Sequence, residues 1–244
     1  MDAGIALVTG GARRIGRAIV ERLAREKFAV IVHASARSLR DADVLAGTLR
    51  ASGARATTAV ADLADARETS ALIEAAARTF GAPTLLVNNA SVFEADEPQT
   101  FAAQGFERAI AVNLRAPALL TQAFAAALPT QSDGVVVNII DQRVLRPDPY
   151  YFSYSLSKAA LLHATKAMAQ AYAPRIRVNA VGPGPVLPNQ HEGQAAFDAE
   201  LAVAPLGRAV APEEVADAVL WLAKAPSVTG QMIAVDSGQH LAWK

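Results

Sequence analysis

Short apolar runs rich in β-branched residues alternate along the chain with longer segments in which apolar residues recur at helical spacing. The apolar runs predict strands at residues 5–8, 28–32, 56–60, 85–87, 135–140, 176–181 and 232–235. The helical periodicity predicts helices at residues 15–25, 41–52, 64–80, 106–128, 151–172 and 212–224. Most positions in the strands are apolar, without a regular alternation of polar residues, which is typical of strands that are buried on both faces of a sheet.

The regular alternation of strands and helices predicts an α/β fold: a doubly wound parallel sheet of about seven strands with helices on both faces. No linker or shift in composition divides the chain, so residues 1–244 are interpreted as a single domain. One segment departs from the pattern. Residues 182–208 are rich in proline and glycine, with only a weak helical pattern at 194–201, and are predicted to form a substrate loop.

The composition limits the class of function. Apolar residues make up 52% of the chain and charged residues 19%, which is enough to bury a sizeable core. The net charge is zero, so no basic surface for nucleic acid or an anionic membrane is expected. The absence of cysteine excludes disulfides and thiolate chemistry, and the four histidines show no spacing typical of metal ligands. The chain enters a strand at once, without a basic leader, and its most apolar longer stretch, 116–128, is too short to span a bilayer. We expect a cytoplasmic protein.

A tyrosine and a lysine lie four residues apart in the longest predicted helix. Tyr154 and Lys158 therefore project from the same helical face, one turn apart. A lysine ammonium beside a phenol stabilises the phenolate and lowers its pKa, which prepares the tyrosine for proton transfer. The preceding apolar strand ends in Asp141, so the acid and the pair are predicted to face one cleft. A surface helix that merely carries both residues remains the alternative.

The first predicted strand leads through a glycine turn into a helix, in the run Thr9-Gly10-Gly11-Ala12-Arg13-Arg14-Ile15-Gly16. Glycine allows close backbone approach, and the free N–H groups of a helix N-terminus attract phosphate. The spacing differs from G-x-G-x-x-G, so a plain turn stays open. Gly10, Arg13, Arg14 and Ile15 are candidate cofactor-binding residues, and Arg14 adds positive charge beside the expected pyrophosphate.

The end of the second strand bears on the choice of cofactor. An acidic residue there would accept a hydrogen bond from the ribose 2′-hydroxyl of NAD. The chain has instead Ser35, Arg37 and Ser38, with no carboxylate before Asp41. Hydroxyls and a guanidinium suit a 2′-phosphate, which predicts NADPH/NADP as the cofactor. A solvated surface position for Arg37, with NADH as cofactor, is the alternative.

Several motifs in order give the chain a resemblance to the short-chain dehydrogenase/reductase family over nearly its whole length. They are Thr9-Gly10 through Gly16, Asp62-Leu63, Asn88-Asn89-Ala90, Asn113, Tyr154 with Lys158, and Pro183-Gly184. The resemblance implies a single-domain Rossmann fold, a homotetramer and a small-molecule substrate.

The resemblance also implies roles for individual residues. Asp62 and Leu63 would lie against the adenine, while Asn89 and Ala90 would support the cofactor. Tyr154 would be the proton donor, Lys158 would bind the nicotinamide ribose, and Asn113 would help to hold a water of the proton relay. Pro183, Gly184 and Val186 occupy the segment that contacts the nicotinamide, where this chain lacks the usual threonine.

Two departures from the usual pattern, Arg14 in place of a glycine and Asp141 in place of a serine, resemble the pteridine reductase branch of the family together with the run Asn88-Asn89-Ala90-Ser91-Val92-Phe93. The resemblance implies that Arg14 lies between the cofactor phosphate and a pterin. Phe93 would stack the pterin against the nicotinamide, Ser91 would contact ligand or cofactor, and Asp141 would assist protonation. A flat ring with nitrogens suits an aromatic sandwich and an acid beside a tyrosine.

Each of these residues has a structural alternative. Phe93 is equally consistent with ordinary hydrophobic lining, and Arg14 with phosphate binding alone. Asp141 can instead turn away from the cleft and pair with Arg143 or Arg146.

Three hypotheses about function follow. The first is an NADPH-dependent reductase of a pterin or dihydropterin-like heterocycle. The second is an ordinary short-chain ketone reductase or alcohol dehydrogenase in which Asp141 is incidental. The third is a catalytically idle NADP-binding regulatory protein, against which the intact Tyr154 and Lys158 pair counts.

Overall fold

The computed structural model describes residues 3–188 and 193–242. Its centre is a sheet of seven strands in the order β3-β2-β1-β4-β5-β6-β7, in which every neighbouring pair is parallel. The strands are β1 Ile5–Val8, β2 Ala29–Ala34, β3 Ala56–Val60, β4 Leu85–Asn88, β5 Gly134–Ile139, β6 Ile176–Pro183 and β7 Met232–Val235.

Helices cover both faces of this sheet. They are α1 Arg14–Arg25, α2 Leu39–Ala51, α3 Ala66–Phe80, α4 Ala103–Ile110, α5 Ala116–Ala127, α6 Phe152–Tyr172, α7 Gly193–Val203 and α8 Pro212–Lys224. One core lies between the sheet and α1, α2 and α8. The other lies between the opposite face and α3, α5 and α6. The predicted doubly wound α/β fold is confirmed.

The strand order reverses between β1 and β4. The chain runs outward from β1 to β3 and then crosses back to continue with β4 on the other side. The connections therefore leave the carboxyl ends of β1 and β4 in opposite directions, which opens a crevice there. In open α/β sheets this is where ligands bind.

The long helix predicted at 106–128 is interrupted. The segment Ala111–Arg115 forms a single wide turn of π-helix between α4 and α5, and it contains Asn113. Such a turn accommodates an extra residue and frequently occurs at a functional site. The periodicity of apolar residues in the sequence could not predict this π-helical turn, because a single extra residue per turn hardly changes the pattern of a mostly apolar helix.

The helical stretch Ala103–Ala127 is long and apolar enough, by these measures alone, to cross a membrane. Half of its most apolar window is buried inside the protein. Phe124 and Leu120 are fully buried in the core beneath the sheet. Packing in the core therefore accounts for the apolar character of this stretch.

Helix α6 begins one residue later than the sequence predicted, because Tyr151 has a left-handed backbone conformation with φ 57°. Asp96 caps the helix: its carbonyl accepts from the Phe152 N–H at 3.2 Å, and its carboxylate accepts from the Ser153 N–H at 3.0 Å and from the Ser153 hydroxyl. The cap satisfies N–H groups that a helix N-terminus leaves without a partner.

A buried chain of polar side chains joins α6 to the sheet. The Asn88 amide donates to the Asn138 side-chain oxygen at 2.8 Å, and the Asn138 amide donates to the Thr165 hydroxyl at 2.8 Å. Thr165 in turn donates to the Leu161 carbonyl at 2.8 Å. The chain ties β4, β5 and α6 together in the core and fixes the height of α6 above the carboxyl edge of the sheet.

Replacing the middle member of this chain tests it. Asn138→Ala leaves the buried Asn88 amide without an acceptor, so we expect the free energy of unfolding to fall by about 1–3 kcal/mol. Urea denaturation followed by circular dichroism measures the loss. Gln104→Ala, at an exposed position of α4, is the control and should change stability by less than about 0.5 kcal/mol. An unchanged midpoint for Asn138→Ala would show that the chain does not anchor α6.

Candidate active site

The turn after β1 is fastened to the end of β4. The Thr9 hydroxyl accepts from the N–H groups of Asn89 at 2.9 Å and Ala90 at 3.0 Å. The Asn89 amide donates to the carbonyls of Thr9 at 2.8 Å and Gly10 at 3.1 Å. A Cβ at Gly16 would lie 2.2 Å from the Gly10 carbonyl oxygen, so only glycine lets α1 approach the turn this closely.

The two arginines that begin α1 point to different neighbours. Arg13, largely exposed, forms an ion pair with Asp41 of α2. Arg14 donates to the carbonyl oxygens of Leu187 at 3.2 Å and Pro188 at 3.3 Å, in the segment after β6. Arg14 lines the central cavity as well, so the predicted contact with a cofactor phosphate would require it to exchange these carbonyls.

The segment after β2 fits the extra phosphate of NADP. Ser35, Arg37 and Ser38 lie in and around the short 3-10 turn Ala36–Ser38, and no carboxylate stands at the strand end. Asp41, the first acid after β2, is already paired with Arg13. Hydroxyl and guanidinium donors without a nearby free acid suit a phosphate rather than a ribose hydroxyl.

Three other predicted cofactor-binding residues follow β3 and β4 at the same edge of the sheet: Asp62 and Leu63, predicted against the adenine, and Ala90. Leu63 is buried, and Asp62 folds back on its own turn by accepting from the Ala64 N–H at 2.9 Å. Ala90 follows β4 and is partly buried. Their predicted roles toward the cofactor stay predictions.

A cavity of about 460 Å³ opens at the carboxyl end of the sheet, beside β1, β4, β5 and β6. It brings together most of the predicted site residues: Arg14, Ile15, Asn89, Ser91, Phe93, Asp141, Tyr154, Lys158, Pro183, Gly184 and Val186. It also contains side chains for which the sequence predicted no role, notably Glu200 and Phe197 of α7.

Tyr154 and Asp141 form a hydrogen-bonded pair in this cavity. The Tyr154 hydroxyl donates to Asp141 Oδ2 at 2.7 Å, and the other carboxylate oxygen accepts from the Arg143 N–H at 2.8 Å. Asp141 therefore faces the cavity while it also lies near Arg143, with 3.6 Å between Asp141 Oδ2 and the guanidinium. Burial, together with the charge and hydrogen bond of Asp141, raises the pKa of Tyr154 well above its usual value.

Lys158 lines the same cavity as Tyr154, one helical turn further along α6. Its ammonium donates to the Ile139 carbonyl at 2.8 Å and lies 5.7 Å from the centroid of the Tyr154 ring. Burial lowers the pKa of Lys158 to about 8, although Asp141 opposes the shift. The pKa of Tyr154 is raised in this structure by burial and by Asp141, and the role predicted for Lys158 toward Tyr154 stays a prediction.

Asn113 uses its side chain to hold the site together. Its oxygen accepts from the Val92 N–H at 2.9 Å and the Ser91 hydroxyl at 3.1 Å. Its amide donates to the Val92 carbonyl and the Ser157 hydroxyl, each at 3.0 Å. These four bonds engage both polar atoms of the amide. The side chain thus joins the segment after β4 to α6, and the predicted contact with a relay water would need another group of this residue.

Phe93 lies in a cluster of aromatic rings. One face stacks on Tyr151 with 4.1 Å between centroids and 13° between planes, and Tyr154 approaches at 4.6 Å nearly perpendicular to it. A flat ligand that stacks on Phe93 can therefore use only the face away from Tyr151. The left-handed conformation of Tyr151 places its ring here, buried, directly before α6.

Comparison with known proteins agrees with this geometry. Residues 10–240 match a family described as enoyl-(acyl carrier protein) reductase. The 3-oxoacyl-(acyl-carrier-protein) reductase of Synechocystis sp. is 33% identical, in a match that covers 98% of this chain and 97% of that protein. The chain belongs to the short-chain dehydrogenase/reductase family.

Relatives within the family act on different substrates. The 3beta-hydroxysteroid dehydrogenase 1 of Eggerthella lenta is 33% identical over 96% of this chain and 93% of its own length. The crystal structure of FolM alternative dihydrofolate reductase 1 from Brucella canis, complexed with NADP, is 45% identical with a TM-score of 0.96. That match covers 99% of this chain and 96% of the Brucella chain. The NADP in that structure agrees with the prediction of NADP(H) as the cofactor.

Arg143 is a site residue for which the sequence suggested no role of its own. Its guanidinium lies among three carboxylates, at 3.6 Å from Asp141, 3.3 Å from Asp148 and 2.7 Å from Glu200. Burial alone would lower the pKa of Arg143, and the surrounding carboxylates more than offset this and raise it. An arginine two residues after Asp141 gave no signal, because Glu200 is distant in the chain.

His33 is a second residue that the sequence did not single out. Its Nδ1 accepts from the Gly10 N–H at 3.1 Å, and Nε2 lies 3.2 Å from the Ala61 carbonyl. This pattern assigns the neutral form with its proton on Nε2, bridging the phosphate turn and the end of β3. Burial lowers the pKa of His33 from 6.5 to about 4. A histidine at the end of an otherwise apolar strand was the available signal.

The lowered pKa makes stability depend on pH. Between pH 6.5 and about 4 the unfolded chain binds a proton at His33 and the folded chain does not, so stability falls as pH falls. From neutrality to about pH 5 the loss from this group should be about 2 kcal/mol. Urea unfolding of the wild type and His33→Gln at both pH values isolates it, because the glutamine cannot be protonated. An equal pH dependence in the two proteins would contradict the assignment.

Proposed function

We propose that this protein is an NADPH-dependent reductase of a pterin or dihydropterin-like heterocycle, with Tyr154 as the proton donor. The observation that carries the proposal is the hydrogen bond from Tyr154 to Asp141, 2.7 Å long, inside a cavity that has Phe93 in its wall. The likeness to the Brucella FolM structure, at 45% identity, supports the same substrate class.

The residues at the carboxyl edge of the sheet fit NADPH. The glycine turn after β1, which Thr9 and Asn89 hold against β4, would receive the pyrophosphate. Ser35 and Arg37 would receive the 2′-phosphate. Lys158 and the backbone around Pro183 and Gly184 lie where the nicotinamide end would reach the cavity. When bound, the nicotinamide supplies the hydride.

Tyr154 and Asp141 would act together on the substrate nitrogen. The raised pKa keeps the phenol protonated across the neutral range, so that Tyr154 retains a proton to give. Asp141 accepts hydrogen bonds through its carboxylate, and this suits a ring that carries N–H donors.

The same carboxylate disfavours a ketone. A carbonyl oxygen needs a neutral donor beside the tyrosine, and an ionised Asp141 offers only acceptors. Ketone reduction is nevertheless the activity named for the Synechocystis relative, and it is the rival that the experiment must separate. The idle-regulator hypothesis is the third outcome.

The function is tested by NADPH oxidation with dihydrofolate, a dihydropterin and a panel of simple ketones. We expect turnover of the pterin compounds, reduced by about 10²–10⁴-fold in Tyr154→Phe because the proton donor is gone. Asp141→Asn should lower pterin turnover about 10²-fold while NADPH affinity, measured by fluorescence, changes little.

Asp141→Ser tests the rival hypothesis, ketone reduction, in the same assay. It restores a neutral hydroxyl donor, so weak ketone reduction should rise as pterin reduction falls. Undiminished pterin turnover in Asp141→Ser would count against the role of the acid. Turnover of ketones alone by the wild type would favour the rival, and NADPH binding without any turnover would favour the regulatory protein.

The pKa of Lys158, lowered to about 8, gives a separate prediction for cofactor binding. Its ammonium loses the proton as pH rises through that value, so NADPH affinity should decline from about pH 7 to about pH 9. Lys158→Met should bind NADPH more weakly throughout and without this decline. If the NADPH affinity of the wild type stays constant over the same pH range, the charge on Lys158 does not contribute to cofactor binding.

A further inference from the structure

Helix α7 reaches the catalytic pair through one arginine. Glu200 of α7 accepts from the Arg143 guanidinium at 2.7 Å, and the same guanidinium lies 3.6 Å from Asp141 Oδ2. That oxygen is the one to which Tyr154 donates. A continuous chain of contacts therefore runs from α7 to the phenol that the proposed function uses as its acid.

Helix α7 is a lid rather than part of the core. None of its described side chains is buried, and two of them, Phe197 and Glu200, line the cavity. A helix with so little buried surface is held by few contacts. Each polar contact therefore makes a large contribution to the free energy that opening of the helix requires. The ion pair with Arg143 is such a contact, and both partners are largely shielded, with 16% and 32% of their side chains exposed.

We propose that Arg143 is a positioning residue that couples the lid helix α7 to the Tyr154–Asp141 pair. Glu200 and Asp148 hold the guanidinium outward, where it is nearer to them than to Asp141. In this position Asp141 Oδ2 remains available to Tyr154. The coupling rests on the proposed function only in so far as Tyr154 and Asp141 are the reacting pair.

Opening of the lid helix α7 would change the position of the Arg143 guanidinium. Without Glu200, the guanidinium has Asp141 and Asp148 as its remaining carboxylates and moves toward them. A closer Arg143 competes with Tyr154 for Asp141 Oδ2 and also favours the phenolate by its charge. The titratable groups that act on Arg143 are Asp141, Glu200, Tyr154 and Asp148, and Asp141 acts on Lys158 as well. The donor would thus be in its working arrangement only when α7 is closed.

Arg143 also lies at the edge of the aromatic cluster. Its guanidinium carbon is 5.8 Å from the Phe93 centroid and 5.6 Å from the Tyr151 centroid. A point almost equally far from two stacked rings lies beside them and not over a face. The guanidinium therefore closes the cluster from the side and leaves the remaining face of Phe93 to a ligand.

The coupling is tested by hydrogen exchange of α7 in the absence of substrate. Glu200→Gln should raise the exchange rate of the α7 amides about two- to five-fold, the range expected for loss of one ion pair. Asp198→Asn is the matched control, because it removes the same charge from the same helix and Asp198 bonds only to Gln194 of α7 among the described contacts. Its exchange should equal that of the wild type.

The reciprocal variant is Asp141→Asn. Coupling between two sites is mutual, so removing the carboxylate at Asp141 should leave the guanidinium more firmly on Glu200 and slow the exchange of α7. If Asp141→Asn leaves α7 exchange unchanged, the coupling through Arg143 is overturned. This measurement needs no turnover, so it stands even if no pterin is reduced and the proposed function fails.

Steady-state kinetics supply the second readout. Glu200→Gln should lower kcat about two- to five-fold and shift the pH profile of kcat, while Asp198→Asn leaves both as in the wild type. Arg143→Lys keeps the charge without the planar fork and should resemble Glu200→Gln. Faster α7 exchange in Glu200→Gln with an unchanged kcat and pH profile would overturn the coupling. Arg143 would then hold α7 closed without affecting Tyr154 and Asp141.

Discussion

The hydrogen bond between Tyr154 and Asp141 depends on how α6 is placed against the end of β5. One partner is carried by the helix and the other follows the strand, so an error of an ångström in either would break the bond. Contacts at three positions along α6 hold the helix in place. Asn138 holds its middle to the sheet, Lys158 holds it to the Ile139 carbonyl, and Asp96 caps its first turn.

Replacing the usual serine of the family by Asp141 changes the electrostatics of the whole site. With a serine at this position, Arg143 would be the charge that acts on Tyr154, and it favours the phenolate. With a carboxylate in contact, the phenol is held in its protonated form, which suits the proton donor of the proposed reaction. The site gains an acceptor and a negative charge, and Arg143 is the counter-ion that makes this charge tolerable in a partly buried place.

Much of the fold could be predicted from the sequence because its information is local. Largely apolar runs identified the strands, helical periodicity identified the helices, and the spacing of Tyr154 and Lys158 identified a candidate site on α6. The missed features depend on contacts distant in sequence. Glu200 meets Arg143 across 57 positions, and His33 meets Ala61 across 28. The hydrogen bond from Lys158 to the Ile139 carbonyl also depends on the folded structure, and no pattern in the sequence predicts it.

The stacking of Tyr151 behind Phe93 has a consequence for selectivity by shape. An exposed phenylalanine rotates freely, and a ligand that binds to it must first immobilise it, at a cost of about 0.5–1.5 kcal/mol. Phe93 is already held by its stacked contact with Tyr151 and its perpendicular contact with Tyr154. Its free face is thus a rigid flat plate before any ligand arrives. Planar molecules gain the full benefit of contact with such a plate, and puckered or branched ones meet a surface that does not adjust to them.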